Sequence, residues 1–224
     1  MLSASGAELA ADPLNCQGFD VLKAELLVEP GCVEAIQRSK YDTNGLPSGP
    51  DPNGPRDPRR QQTIDASGTA KWNQELRPRL AGCLRARRML ACSSGEKAIV
   101  KMRAIKSLLT PGYDAENVDP QEGDQEAHAD EDLAGLARYM DGKSLKDMPL
   151  SVIVALMPGT RLRIRRLDTH KWVVVHLEPG DVLVFRGDVC HNGLGYASEN
   201  VRLHAYVYPS DYKPKASSIN SCHA

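Results

Sequence analysis

Two histidines, an aspartate and an arginine in the second half of this chain have the types and spacing to do metal chemistry. His128 and Asp130 are two positions apart, His191 lies far downstream, and Arg202 follows eleven positions later. On an extended segment, residues i and i+2 point to the same side, so His128 and Asp130 can offer an imidazole and a carboxylate to one ion. A third ligand, His191 on a distant strand, completes one face of an octahedron and leaves three positions open. That donor set suits Fe(II). Zinc is less favoured, although two histidines with a carboxylate also bind zinc.

Spacing alone is weak support. With 29 acids in 224 residues and six histidines, roughly one His-x-Asp/Glu is expected by chance, and the chain has two. The second, His176-Leu177-Glu178, sits in an apolar strand that runs into the Pro179-Gly180 turn, so it reads as a strand face and a turn flank. The segment carrying His128 and Asp130 instead precedes the β-rich part of the chain, with several strands before His191.

The elements that must position these residues come next. From Leu150 onward the chain reads as six short strands with turns about every ten residues, the signature of a sandwich or jelly roll. Arg161, Arg163 and Arg165 alternate with Leu162 and Ile164, giving one core face and one wet or ligand-facing side. Val100, Met102 and Ala104 alternate with Lys101 and Arg103, which predicts a strand over 98–109. Leu133 to Met140 fits one or two helical turns. Trp72, Leu76, Leu80 and Leu84 recur every four positions and predict a helix within 71–92, with Pro78 near its start. A further helix is expected around Val33 to Ile36. Residues 41–60 hold five prolines and three glycines, which predicts a long mobile loop, a lid or plain disorder. The expected organisation is one domain over 1–224, with an N-terminal helical part about 1–96 and a jelly-roll core about 97–210. The fold class is mainly β with N-terminal helices.

With these elements in place, His128-Ala129-Asp130, His191 and Arg202 resemble the His-x-Asp…His…Arg pattern of the Fe(II)/2-oxoglutarate-dependent dioxygenases. The Pro179-Gly180-Asp181 turn before the strand leading to His191 is also similar, and the resemblance covers roughly 98–209. It implies a double-stranded β-helix, with His128, Asp130 and His191 as iron ligands and Arg202 on the distal carboxylate of 2-oxoglutarate. It further implies O2 as cosubstrate, and succinate and CO2 as coproducts of a hydroxylation or oxidative demethylation. Many members place serine two residues after the arginine; this chain has His204, which becomes the candidate second donor to the cosubstrate carboxylate. Cys190, flanking His191, points the opposite way on extended chain and reads as core.

Composition narrows the alternatives. The chain is 41% hydrophobic and 25% charged, with net charge −1, as in ordinary globular proteins. No apolar run approaches the ~18 residues of a membrane span. The first residues lack the basic and apolar regions of a signal peptide, and the six cysteines form no Cys-x-x-Cys pair. Free thiols and an intracellular, cytoplasmic or nuclear location are therefore expected. Nine Lys/Arg and one acid between Arg77 and Lys106 read as a solvated face or as a surface for an acidic partner such as nucleic acid. Three further functions stay open: a nucleic-acid base oxygenase using that surface, a cupin-like metal enzyme without 2-oxoglutarate, and a non-catalytic jelly-roll binding module. Arg202 discriminates, since the cupin-like reading gives it no role.

Overall fold

Three layers stack around the positions identified above: helices, a large sheet and a small sheet. A computed structural model describes residues 12–41, 46–47, 56–57, 60–63, 69–110, 112–114, 117, 119–121, 123–214 and 220–222. The described helices are α1 (Pro13–Cys16), α2 (Pro30–Gln37), α3 (Lys71–Ala86) and α4 (Leu133–Met140), with a 3-10 turn at Leu145–Asp147. The strands are β1 (Phe19–Leu22), β2 (Leu46–Pro47), β3 (Arg56–Asp57), β4 (Arg60–Thr63), β5 (Ala91–Cys92), β6 (Gly95–Glu96), β7 (Ala98–Ser107), β8 (His128–Ala129), β9 (Leu150–Ala155), β10 (Thr160–Arg165), β11 (Trp172–Leu177), β12 (Val182–Arg186), β13 (His191–Gly193), β14 (Asn200–Tyr208) and β15 (Asn220–Ser221).

The six-stranded sheet runs β1-β12-β9-β14-β7-β4 and the five-stranded sheet β11-β10-β13-β8-β15. Every described pairing is antiparallel. Successive strands from β7 alternate between the two sheets until β10 and β11 pair, which is the winding of a double-stranded β-helix. The N-terminal part expected to be helical also contributes: β1 extends one edge of the large sheet and β4 the other.

The large sheet is buried on both faces, which explains why strands such as Leu150–Ala155 are almost continuously apolar. On one face, Met102, Ala104, Val152, Val154, Leu203, Ala205 and Val207 pack against Trp72, Leu76, Leu80 and Leu84 of α3. Cutting Leu80 or Leu84, both fully buried, to alanine would cost about 2–5 kcal/mol. On the other face, Ile153, Ala155, Leu183 and Phe185 meet Leu162, Ile164 and Leu177 of the small sheet. The period-two alternation of β14 therefore turns Leu203 and Ala205 to the helices, and Arg202 and His204 to the space between the sheets.

Several expectations change. Pro78 lies inside α3 rather than at its start, because the leucine stripe it interrupts buries enough surface to carry the helix through. Pro78 itself is exposed. Within 41–60, β2 pairs with β3, and β4 begins at Arg60; the rest of the expected mobile loop, and any role as a lid, lies outside the described residues. Arg161 is not on a wet face: it is buried, with its guanidinium over the rings of Tyr113 and Tyr196. Cys190 is neither free nor simply core, since it is disulfide-bonded to Cys222. That bond departs from the expectation of free thiols; Cys32, Cys83 and Cys92 are free thiols. No described helix is long and apolar enough to cross a membrane.

Candidate metal centre

Antiparallel register brings the centre together. His191 of β13 is the direct partner of His128 of β8, and directly opposed residues point to the same face. Their ring centroids lie 4.5 Å apart. Asp130 follows β8 on the same side as His128. One ligand atom each from His128, Asp130 and His191 lies within 4.8 Å of the others, and both histidines are buried. The competing His176 is exposed on β11.

The tautomers favour metal binding. His128 Nδ1 lies 2.8 Å from the Glu126 carbonyl and His191 Nδ1 3.1 Å from the Val189 carbonyl. A carbonyl only accepts, so each Nδ1 carries the proton and each Nε2 keeps its lone pair. Burial pushes the His191 imidazole below its ordinary pKa, which keeps it neutral. Burial alone would raise the Asp130 carboxyl. Attraction to the His191 ring where it is protonated, and the neighbouring His204 ring, reverse that and hold it well below the usual carboxylate range. Ser151 Oγ donates to Asp130 Oδ2 at 2.5 Å, which fixes the carboxylate further. The set is therefore two imidazoles with Nδ1 engaged by the backbone and one ionised carboxylate, a donor chemistry that fits a ferrous ion.

Arg202 faces this centre from the large sheet. It is 4% exposed, donates to Ser107 Oγ at 2.9 Å and stacks over the Tyr196 ring. No described carboxylate oxygen comes within the 4.0 Å of an ion pair to it. His204 has neighbours other than those expected. Its Nδ1 lies 3.2 Å from Arg103 Nη2; a guanidinium only donates, so Nδ1 accepts and Nε2 bears the proton. That Nε2 is buried without a hydrogen-bond partner and lies 3.6 Å from Asp130 Oδ2. The hydroxyl beside Arg202 is thus Ser107, which sequence reasoning missed. Only the β7–β14 register, which sets Ser107 near Arg202, reveals it.

The basic stretch 77–106 divides. Arg77 donates to the Ile99 carbonyl and Arg79 to that of Leu27, Arg85 pairs with Glu96, and Arg87 with Glu25. These are structural attachments. Lys101 and Arg103 are not part of them.

No family model matches the sequence, and no curated protein matches it. Solved structures do match in fold. HygX from Streptomyces hygroscopicus, with nickel, 2-oxoglutarate and hygromycin B bound, has TM-score 0.62 at 12% identity, over 93% of this chain and 93% of that one. A prolyl hydroxylase in complex with a hypoxia inducible factor oxygen degradation domain peptide fragment, from Trichoplax adhaerens, has TM-score 0.58 at 12% identity, over 90% and 88%. The epimerase SnoN, in complex with Fe3+, alpha ketoglutarate and nogalamycin RO, has TM-score 0.56 at 13% identity, over 97% and 95%. The fold of this chain is the jelly roll of these proteins.

Proposed function

We propose that this chain is an Fe(II)- and 2-oxoglutarate-dependent oxygenase that hydroxylates or oxidatively demethylates its substrate. The observation that carries the reading is Arg202: a buried guanidinium on the sheet facing the triad, with a hydroxyl and an aromatic ring beside it and no described carboxylate in ion-pair range. A buried charge without a counter-charge costs several kcal/mol. A dicarboxylate lying between triad and arginine supplies what is missing. The jelly-roll fold, shared with structures that hold a metal and 2-oxoglutarate, agrees with this.

His128 and His191 would hold the iron through Nε2, and Asp130 through a carboxylate oxygen. Iron with 2-oxoglutarate and O2 supplies the oxidising chemistry, with succinate and CO2 as coproducts. The chain itself contributes position and exclusion of water. The two carbonyl-bound Nδ1 groups stop the imidazoles from rotating, Ser151 steadies Asp130, and Arg202 with Ser107 orients the far carboxylate. Phe185, fully buried, packs edge-on against His191 and keeps that side dry.

Anaerobic titration with Fe(II) and then 2-oxoglutarate tests the reading, followed by assay for succinate on admitting O2. Stoichiometric iron binding, saturable 2-oxoglutarate binding that needs the metal, and slow succinate formation are expected. Iron binding without any 2-oxoglutarate affinity would instead support a metal enzyme of the cupin-like kind.

A further inference from the structure

We propose that Lys101 and Arg103 of β7 form a recognition site for an oxyanion, a phosphate or carboxylate, carried by the substrate. The inference rests on the oxygenase reading for the word substrate, but its geometry is independent of it.

Direct partners across the β7–β14 ladder set the scene: Ile105 opposes Arg202, Arg103 opposes His204, and Lys101 opposes Tyr206. All six residues face the small sheet. Burial falls steadily along this row. Ile105 and Arg202 are buried, Arg103 is half-buried, and Lys101 is exposed. The Arg202 end is therefore the floor of the site and the Lys101 end its mouth. Arg103 and Lys101 lie about 7 and 14 Å along the strand from the level of Arg202, at ~3.4 Å per residue. That is too far for both to share the carboxylate that Arg202 holds. Their β14 partners link them to the triad: Tyr206, opposite Lys101, donates to Asp130 Oδ1 at 3.4 Å, and His204, opposite Arg103, lies 3.6 Å from Asp130 Oδ2.

Neither cation is neutralised. Arg103 Nη2 donates to two neutral acceptors, His204 Nδ1 and Tyr206 Oη, and its guanidinium lies 5.6 Å from the Tyr206 ring centroid. Its Nε is buried with no acceptor. Among the described residues no carboxylate pairs with Arg103 or Lys101, although Lys106 on the opposite face of the same strand has Glu199. Partial desolvation, and after it the neighbouring Arg103 charge, push the Lys101 ammonium below its ordinary pKa. Two like charges two residues apart on one strand face, one of them with a buried N–H donor that has no acceptor, are an electrostatic cost that an oxyanion removes. A neutral substrate would leave that cost in place, so the pair also selects against it.

The test uses inorganic phosphate as probe and the full chain saturated with Mn(II) and 2-oxoglutarate. The paramagnetic ion broadens the 31P line of any phosphate held near it. Saturable broadening is expected for the wild type, weakened tenfold or more in Lys101→Glu and in Arg103→Gln, and retained in Lys101→Arg. Thermal melts of the variants confirm folding. Absence of broadening in the wild type, or equal phosphate affinity in wild type and Lys101→Glu, would overturn the site; the second result would mean phosphate sits on the metal itself. Affinity for 2-oxoglutarate, measured on the same samples, separates the two claims. Charge-indifferent phosphate with normal 2-oxoglutarate binding removes the anion site alone. Lys101-dependent phosphate binding without 2-oxoglutarate affinity keeps the anion site and removes the oxygenase reading.

Discussion

At the scale of single residues, a proton on Nδ1 decides what His128 and His191 can do. Each gives that proton to a backbone carbonyl two residues upstream, so the local chain conformation leaves Nε2 as the atom that would meet an ion. Removing any of the three ligands should therefore cost the metal and not the fold. His128→Ala, Asp130→Ala and His191→Ala are expected to lose Fe(II) or Mn(II) binding with near-normal circular dichroism, while His176→Ala keeps it. Retention of stoichiometric metal by all three variants would contradict the assignment. The clustering of these three side chains was readable in the sequence because side-chain direction on extended chain is fixed over two residues, and because the strands between Asp130 and His191 could be counted. Ser107 and Arg103 were not. What makes them part of the site is a partner across a ladder, and cross-strand register is set by packing between distant segments.

At the scale of elements, the turn before β12 is held by one carboxylate. Asp181 accepts from Lys23 Nζ at 2.7 Å and from the backbone N–H groups of Ala24 and Glu178. It ties the end of β1 to the strand that leads to His191. Burial works to raise its pKa, and these donors override it and hold the carboxyl below its ordinary 3.8. The folded pKa is depressed, so the stabilisation is fully present above the unfolded value and is lost as pH falls through the folded one. Asp181→Asn should thus be less stable at neutral pH and show a shallower loss of melting temperature in acid; parallel curves for the two proteins would contradict this. Pro78 makes the opposite kind of prediction. It sits exposed inside α3, where it removes a helical hydrogen bond. Pro78→Ala should stabilise the protein by about 1–2 kcal/mol, less than the full helix-propensity difference because the unfolded chain is also freed, as urea denaturation would measure. Strand and helix identities were largely open to sequence reasoning, since burial of one face leaves a period of two or four. The path of the helix through Pro78 was not, because a local steric rule was outweighed by the Leu76–Leu80–Leu84 stripe.

At the scale of the whole molecule, the two sheets meet at the site from opposite sides, and the C-terminal end of the described chain is fastened beside it. β15 pairs with β8, the strand bearing His128, and Cys222 is bonded to Cys190, next to His191. The bond closes a loop across 32 positions, so Cys222→Ser should lower stability by about 2–4 kcal/mol, read from thermal or urea melts beside the oxidised wild type. Nothing in the spacing of six scattered cysteines announces this pairing, because it depends on Cα atoms brought together only by the finished fold. The sheet-to-sheet arrangement also frames the central claim. The triad lies on the small sheet side and Arg202 on the large one, so a dicarboxylate must bridge the layers to use both. Calorimetry of 2-oxoglutarate on Mn(II)-loaded Arg202→Leu, beside the wild type, tests this most directly. Loss of a buried charged pair costs about 3–5 kcal/mol, so affinity should fall by roughly two to four decades while the metal stays bound. Arg202→Lys should recover only part of it, since an ammonium cannot reproduce the planar fork. Unchanged 2-oxoglutarate affinity in a well-folded, metal-loaded Arg202→Leu protein would contradict the account.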